Sequence, residues 1–253
     1  MLKRDFTLKV YEELLKSILS SGHKMLPFKD YLEQPEQHMI VILRHDVDKK
    51  PENSFKTAQI ENALGITGTY YFRIVRESFN ETIIEQIIDL GHEIGYHYED
   101  LTLARGDHQK ARELFVMHLE TFRERYPVST ICMHGSPMSK WDNRDLWEGY
   151  SYKDHGIIGE PYFDLDYKNF LYFTDTGRRW NGKKYSIRDK VNSNNEFNIK
   201  TTFDLIERIK SQRFLNKNML ITVHPQRWTN NLFPWTIEYF WQNMKNRVKK
   251  IFT

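Results

Sequence analysis

Short apolar runs punctuate the chain: MIVIL (39–43), TYYF (69–72), EIGY (93–96), TICM (130–133), FLYFT (170–174) and MLITV (219–223). Each is bounded by polar or glycine-containing turns, and continuous runs of this length suit strands buried on both faces. The segments between them carry helical spacing, over Pro51–Leu64, Asn80–Leu90, Asp107–Arg125 and Thr202–Arg213. Asn80 can cap a helix whose apolar face is Ile83, Ile84, Ile87 and Ile88, and Gly91 can end it in a left-handed turn. A further helix, with Leu8, Tyr11, Leu14, Leu15, Ile18 and Leu19 on one side and Gly22 at its end, covers the start of the domain. Strand and helix alternating at this rhythm predict a parallel α/β sheet. Residues 139–200 are less regular, rich in Trp, Tyr, Asn and Gly, and read as functional loop.

At 253 residues with 40% hydrophobic content the chain can bury one large core, so a single domain over 1–253 is expected. A net charge of +3 is too balanced to make nucleic acid the main partner. Cys132 is the only cysteine, which excludes an intramolecular disulfide, fits a reducing compartment and reads as a buried strand residue. The N-terminus interleaves charge with leucine and has no signal-peptide core, and no stretch approaches the roughly 20 apolar residues of a membrane span. A cytoplasmic protein with no integral membrane segment is the expectation.

Charge collects where the strands end. LRHDVD closes the first run with Asp46 and Asp48, whose two-residue spacing on extended chain sends both carboxylates to one side, where a cation or shared proton must offset their repulsion. GHEIGYH ends on His97, ICMHGSP gives His134 and ITVHPQRW gives His224. In parallel sheets and barrels the carboxyl ends of strands converge, so four such ends with His or Asp point to a metal or acid–base site.

RHDVD, GHEIGYH, MHGSP, DTGRRW and TVHP, in this order, resemble the polysaccharide deacetylases of the NodB-homology, carbohydrate esterase family 4 group, in particular a divergent branch associated with surface-polysaccharide gene clusters. The resemblance spans about residues 39–228, leaving 1–38 and 229–253 as helical extensions. It implies a distorted (β/α) barrel of about seven strands and a divalent ion, zinc in the first instance, that helps to remove an N-acetyl group from an amino sugar or glycan precursor. It implies Asp46 as general base, Asp48 and His97 as metal ligands, and His224 as the acid that protonates the leaving amine. Asp175 and Trp180 resemble the acid and tryptophan that orient and wall that histidine. Arg44, Arg178 or Arg179 would tune Asp46, and the turn at Gly135 and Ser136 would offer a backbone N–H to the oxyanion. Trp180, Arg179 and Ser136 are the expected substrate contacts.

One position departs from the family pattern. The second histidine of its metal motif belongs four residues after His97, where this chain has Leu101. Because catalytic zinc takes three protein ligands, a replacement is needed from among His134, Glu99, Asp100 and His45. His134 is preferred, since it ends a strand and imidazole is a common zinc ligand, and Glu99 or Asp100 would suit a harder metal. His92, at the other end of its strand, reads as structural, as does the loop pair Asp164 and Asp166. SPMSKWDNRDLW and DTGRRWNGKKYSIRD mix Trp, Asn, Asp and Arg in a way that suits sugar contact. The final segment, with Phe240, Trp241, Met244 and Val248 against Lys245, Arg247, Lys249 and Lys250, reads as a helix covering the barrel, with attachment to a membrane surface as the lesser reading. Two other functions share parts of this pattern: a non-catalytic glycan-binding protein, favoured by Leu101, and a DxD metal-dependent glycosyltransferase, which does not require the strand-end histidines.

Overall fold

The structure is a computed structural model that describes residues 4–35, 38–180, 191 and 197–252, with 248–252 as backbone only. All six apolar runs are strands: β2 (Ile40–Val47), β3 (Thr69–Phe72), β4 (Glu93–Tyr98), β5 (Ile131–Met133), β6 (Phe170–Thr174) and β7 (Asn218–Val223). They are parallel, in the order β5-β4-β3-β2-β7-β6, and curl into a half-barrel flanked by helices, the architecture of a distorted (β/α) barrel. A further strand, β1 (Lys24–Leu26), pairs with Ile40–Ile42 on the edge of β2 that β3 takes over from Arg44 onward. The expected helical extension over 1–38 therefore also supplies sheet. Three residues between a helix and a turn are too few to show a period.

The helices obey their end signals. Thr7 caps α1 (Leu8–Ser20), whose Tyr11, Leu14, Leu15 and Ile18 are buried. After α2 (Phe28–Glu33) and α3 (Pro51–Ala63), Asn80 accepts from the Ile83 N–H to cap α4 (Glu81–Asp89), and Gly91 follows at φ +86°. Between β4 and β5 come α5 (Asp100–Leu103) and α6 (His108–Arg123); Asp107 caps the latter. The described part of the irregular stretch holds two 3-10 turns and α7 (Pro161–Asp164), and a capping box from Thr201 to Asp204 starts α8 (Thr202–Lys210).

Alternation along the strands separates core from chemistry. The outward residues of β2 and β7, Val41, Leu43, Met219, Ile221 and Val223, pack under α1 and α8. The inward series on β2 runs Ile40, Ile42, Arg44, Asp46, so the interior is apolar at the strand starts and charged at their carboxyl ends. Gly95 on β4 sits under the Tyr71 ring, and a Cβ there would lie 2.3 Å from Tyr71 Cε1 and 2.9 Å from the Thr130 carbonyl oxygen. Gly95→Ala should therefore lower stability by about 1–3 kcal/mol through overpacking, read as a reduced melting temperature.

The closing helix, α9 (Leu232–Phe252), corrects one expectation. Phe240, Trp241 and Met244 do not cover the barrel; they are 66%, 48% and 50% exposed. The Val248 side chain lies outside the described residues. The face turned inward is polar, carrying Glu238, Gln242 and Asn246.

Candidate active site

Register brings the strand-end residues together. Asp46 pairs across to Tyr71 and His97 to Cys132, so all four side chains face the interior. Arg44, two residues earlier on the same face, donates from Nε to Asp46 Oδ1 (2.7 Å) and from Nη2 to Oδ2 (2.6 Å). Of the three arginines considered, Arg44 is thus the one that holds Asp46. Burial alone would raise the Asp46 carboxyl, but Arg44 and then His97 outweigh it and keep the group below its ordinary range.

Asp48, His97 and His134 form a second cluster, with ligand atoms that converge. Asp48 Oδ1 lies 3.7 Å from His97 Nε2 and 3.5 Å from His134 Nε2. The three ligand atoms all lie within 4.8 Å of one another, near enough to share one cation. Both rings are oriented for this. His97 Nδ1–H donates to the Cys132 carbonyl (2.9 Å) and His134 Nδ1–H to Glu99 Oε2 (2.9 Å), which leaves each Nε2 lone pair facing Asp48. Asp48 Oδ2 accepts from Gln226 Nε2 (2.9 Å), whereas Oδ1 is buried without a hydrogen-bond partner among the described residues. An orphaned carboxylate oxygen between two imidazole lone pairs fits a cation. Burial would raise the Asp48 carboxyl, yet with a proton on the facing ring nitrogens the imidazoles, His97 first, hold it well below the carboxylate range; a cation bound there would replace those protons.

Behind this cluster stands Arg73. It donates from Nε and Nη2 to Glu99 Oε1 (2.8 and 2.5 Å) and from Nη1 to the Asp48 carbonyl (3.1 Å), fixing the Glu99 carboxylate and the Asp48 backbone together. Burial pushes the Glu99 carboxyl up, but His134 and Arg73 bring it down to about 2. Glu99→Gln should keep the fold and weaken metal affinity roughly 10–100-fold, measurable by competition with a chromophoric chelator.

On the opposite wall, His224 Nδ1–H donates to Asp175 Oδ1 (2.6 Å), and its Nε2 lies 4.0 Å from Asp48 Oδ2. Asp175 is fully buried and also accepts from Arg227 Nη1 (2.6 Å), Trp228 Nε1 (2.8 Å) and the His224 N–H (3.0 Å). Burial and Arg227 push the imidazole down, but Asp175, joined by Asp48, prevails and the His224 pKa is raised.

The chain matches no family model, no curated protein and no solved structure. What the site can do follows from its own geometry.

Several expectations change accordingly. Trp180 does not line the opening; it is buried, donates to Thr202 Oγ1 (3.0 Å) and packs on Trp228, the tryptophan that meets Asp175. Ser136 turns its hydroxyl to Glu99, His134 and Asn143, so it braces the cluster. Arg178 stacks over Phe6 and Trp235 away from Asp46, and Arg179 is half-buried beside it. Among the alternative ligands, Glu99 stands behind His134, and Asp100 is buried against Tyr96 and His118. His45 belongs to the outward face of β2, with Glu61 and Tyr11, and His92 accepts from the Gly68 N–H, a structural role as expected. Asp46, His97 and Cys132 form another group of potential ligand atoms, but Arg44 occupies both Asp46 oxygens. Leu101, four residues after His97, is buried in the apolar cluster beneath α6.

Arg73, Gln226 and Trp228 were not singled out by the sequence. Arg73 had a usable signal, because it follows TYYF directly as the histidines follow their strands. Nothing in HPQRW indicates that Gln226 would reach back to Asp48.

Proposed function

We propose that the protein is a metal-dependent amide hydrolase that removes an N-acyl group, acetyl in the simplest case, from an amino sugar or glycan precursor in surface-polysaccharide synthesis, with zinc as the ion. The observation that carries this reading is the arrangement of three groups around Asp48: the free lone pairs of His97 and His134, the Arg44-bound Asp46, and the His224–Asp175 pair. Asp48, His97 and His134 would hold the ion, which supplies polarisation of the amide carbonyl and acidification of a water.

The chain's own residues account for the proton movements. Amide hydrolysis adds water to the carbonyl and breaks the C–N bond, so one proton must leave the water and one must reach the nitrogen. Asp46, kept ionised by Arg44, is the acceptor. His224, kept protonated by Asp175, presents Nε2 as the donor to the departing amine. A carboxylate and a free amine result.

Beside His134 opens a cavity of ≈ 530 Å³ lined by Glu99, Ser136, Met138 and Trp141 among others, a volume suited to a small-molecule group. His134 fills the ligand role vacated at Leu101, which weakens the non-catalytic reading. A glycosyltransferase that chelates through both acids of DxD sits poorly with Asp46, because the Arg44 guanidinium against both its oxygens would repel a cation there.

The test is release of acetate and appearance of a primary amine from N-acetylated amino sugars offered free, nucleotide-linked and lipid-linked to zinc-loaded protein. Release from at least one is expected; no release from any, with metal bound at one equivalent, would remove the hydrolase reading.

A further inference from the structure

The strongest feature outside the site is α9, whose amphipathicity is inverted. At 100° per residue, Phe233, Ile237, Phe240, Trp241 and Met244 fall on one face, and all are exposed, Phe233 at 74% and Phe240 at 66%. Glu238, Gln242 and Asn246, one turn apart on the opposite face, are buried. Beyond Trp235, which lies under the Arg178 guanidinium and donates to the Asp5 carbonyl (2.6 Å), the inward contacts are polar or charged: Asn246 Nδ2 donates to the Gly177 carbonyl (2.9 Å) and Glu238 meets Lys49 at 3.8 Å, while Gln242 Nε2 donates along the helix to Asn246 Oδ1 (2.8 Å). A helix resting on its own domain normally buries its apolar stripe. This one keeps a polar face on the domain and turns the aromatic one to the outside.

The bordering charge identifies what the stripe is made for. Lys245 and Arg247 are exposed and lie at the two margins of the apolar face, and the sequence continues with Lys249 and Lys250; against four basic residues the helix has one acid, the buried Glu238. Aromatic and aliphatic residues between cationic margins are the pattern of a helix that lies in the interface of an anionic bilayer. A second copy of the same helix would bring basic margins of the same sign.

We propose that α9 docks the protein, in the plane of the interface, onto membranes rich in anionic phospholipid. No helix of the described residues is long and apolar enough to cross a membrane, so the contact is peripheral. The docked face would also set where the site opens. Glu238 is tied to Lys49, next to Asp48, and Asn246 to Gly177, two residues after Asp175, so the helix is fastened to two loops of the catalytic rim.

Co-sedimentation of the full chain with phosphatidylcholine–phosphatidylglycerol vesicles, and with phosphatidylcholine vesicles alone, tests this. Binding is expected to the anionic vesicles, to weaken with added salt, and to fall about tenfold or more in Phe240→Ser, whose exposed position leaves the circular dichroism unchanged. Lys245→Glu combined with Arg247→Glu should weaken binding to the anionic vesicles selectively. Protein that stays in the supernatant with both vesicle types would overturn the proposal. So would light scattering that finds a dimer which Phe240→Ser turns into a monomer, since a second copy would then be the occupant.

Discussion

Replacing His134 with alanine is expected to abolish stoichiometric metal binding while leaving the protein folded. His134 supplies one of three converging donors, and a site reduced to Asp48 and His97 falls below the ligand number that zinc requires. The loss should exceed the roughly 10–100-fold expected from changing an outer partner such as Glu99. The fold survives because Glu99 keeps both Arg73 hydrogen bonds, so no buried charge is stranded. Elemental analysis beside the unaltered protein, after chelation and re-addition of zinc, manganese and nickel, reads the result. Asp48→Ala should behave alike. Retention of a full equivalent by the His134 variant would return the third ligand to the other acids around Asp48.

The second large effect concerns turnover with metal retained. His224→Ala should lower the rate on a cleavable amide by about 10²–10⁴-fold, the usual worth of a positioned acid, with metal content unchanged. Asp175 would still be held by Arg227 and Trp228, so the substitution removes a proton donor without opening the core. The pH profile separates this role from a structural one. A general acid works protonated, so activity is lost as pH rises through the His224 pKa, which Asp175 raises. Asp175→Asn removes that carboxylate, lowers the imidazole pKa and should move the alkaline limb to lower pH. An unmoved limb in Asp175→Asn, or unchanged turnover in His224→Ala, would take the pair out of the mechanism.

Much of this was readable before any coordinate. A strand buried on both faces writes itself as a continuous apolar run, and a parallel sheet puts chemistry where such runs stop, so β2, β4, β5 and β7 announced Asp46, Asp48, His97, His134 and His224. The Asn80 cap lies in local sequence and was equally visible. What could not be read depends on distant contacts. Whether Trp180 or Trp228 meets Asp175 is decided by packing between β6 and the turn after β7. Gln226 reaches Asp48 across 178 positions of sequence, and β1 exists because β2 offers it an edge. The orientation of α9 is the clearest case. Periodicity showed two faces, and only the fold shows that the polar one is buried.

The most direct measurement is a crystal of the unaltered protein grown or soaked with zinc and recorded at the zinc absorption edge. A single anomalous peak bonded to Asp48 Oδ1, His97 Nε2 and His134 Nε2, at distances near 2.0–2.2 Å, is the expected result. A peak held instead by Asp46, His97 and Cys132, or no peak beside Asp48 at saturating zinc, would contradict the metal site on which the hydrolase reading stands.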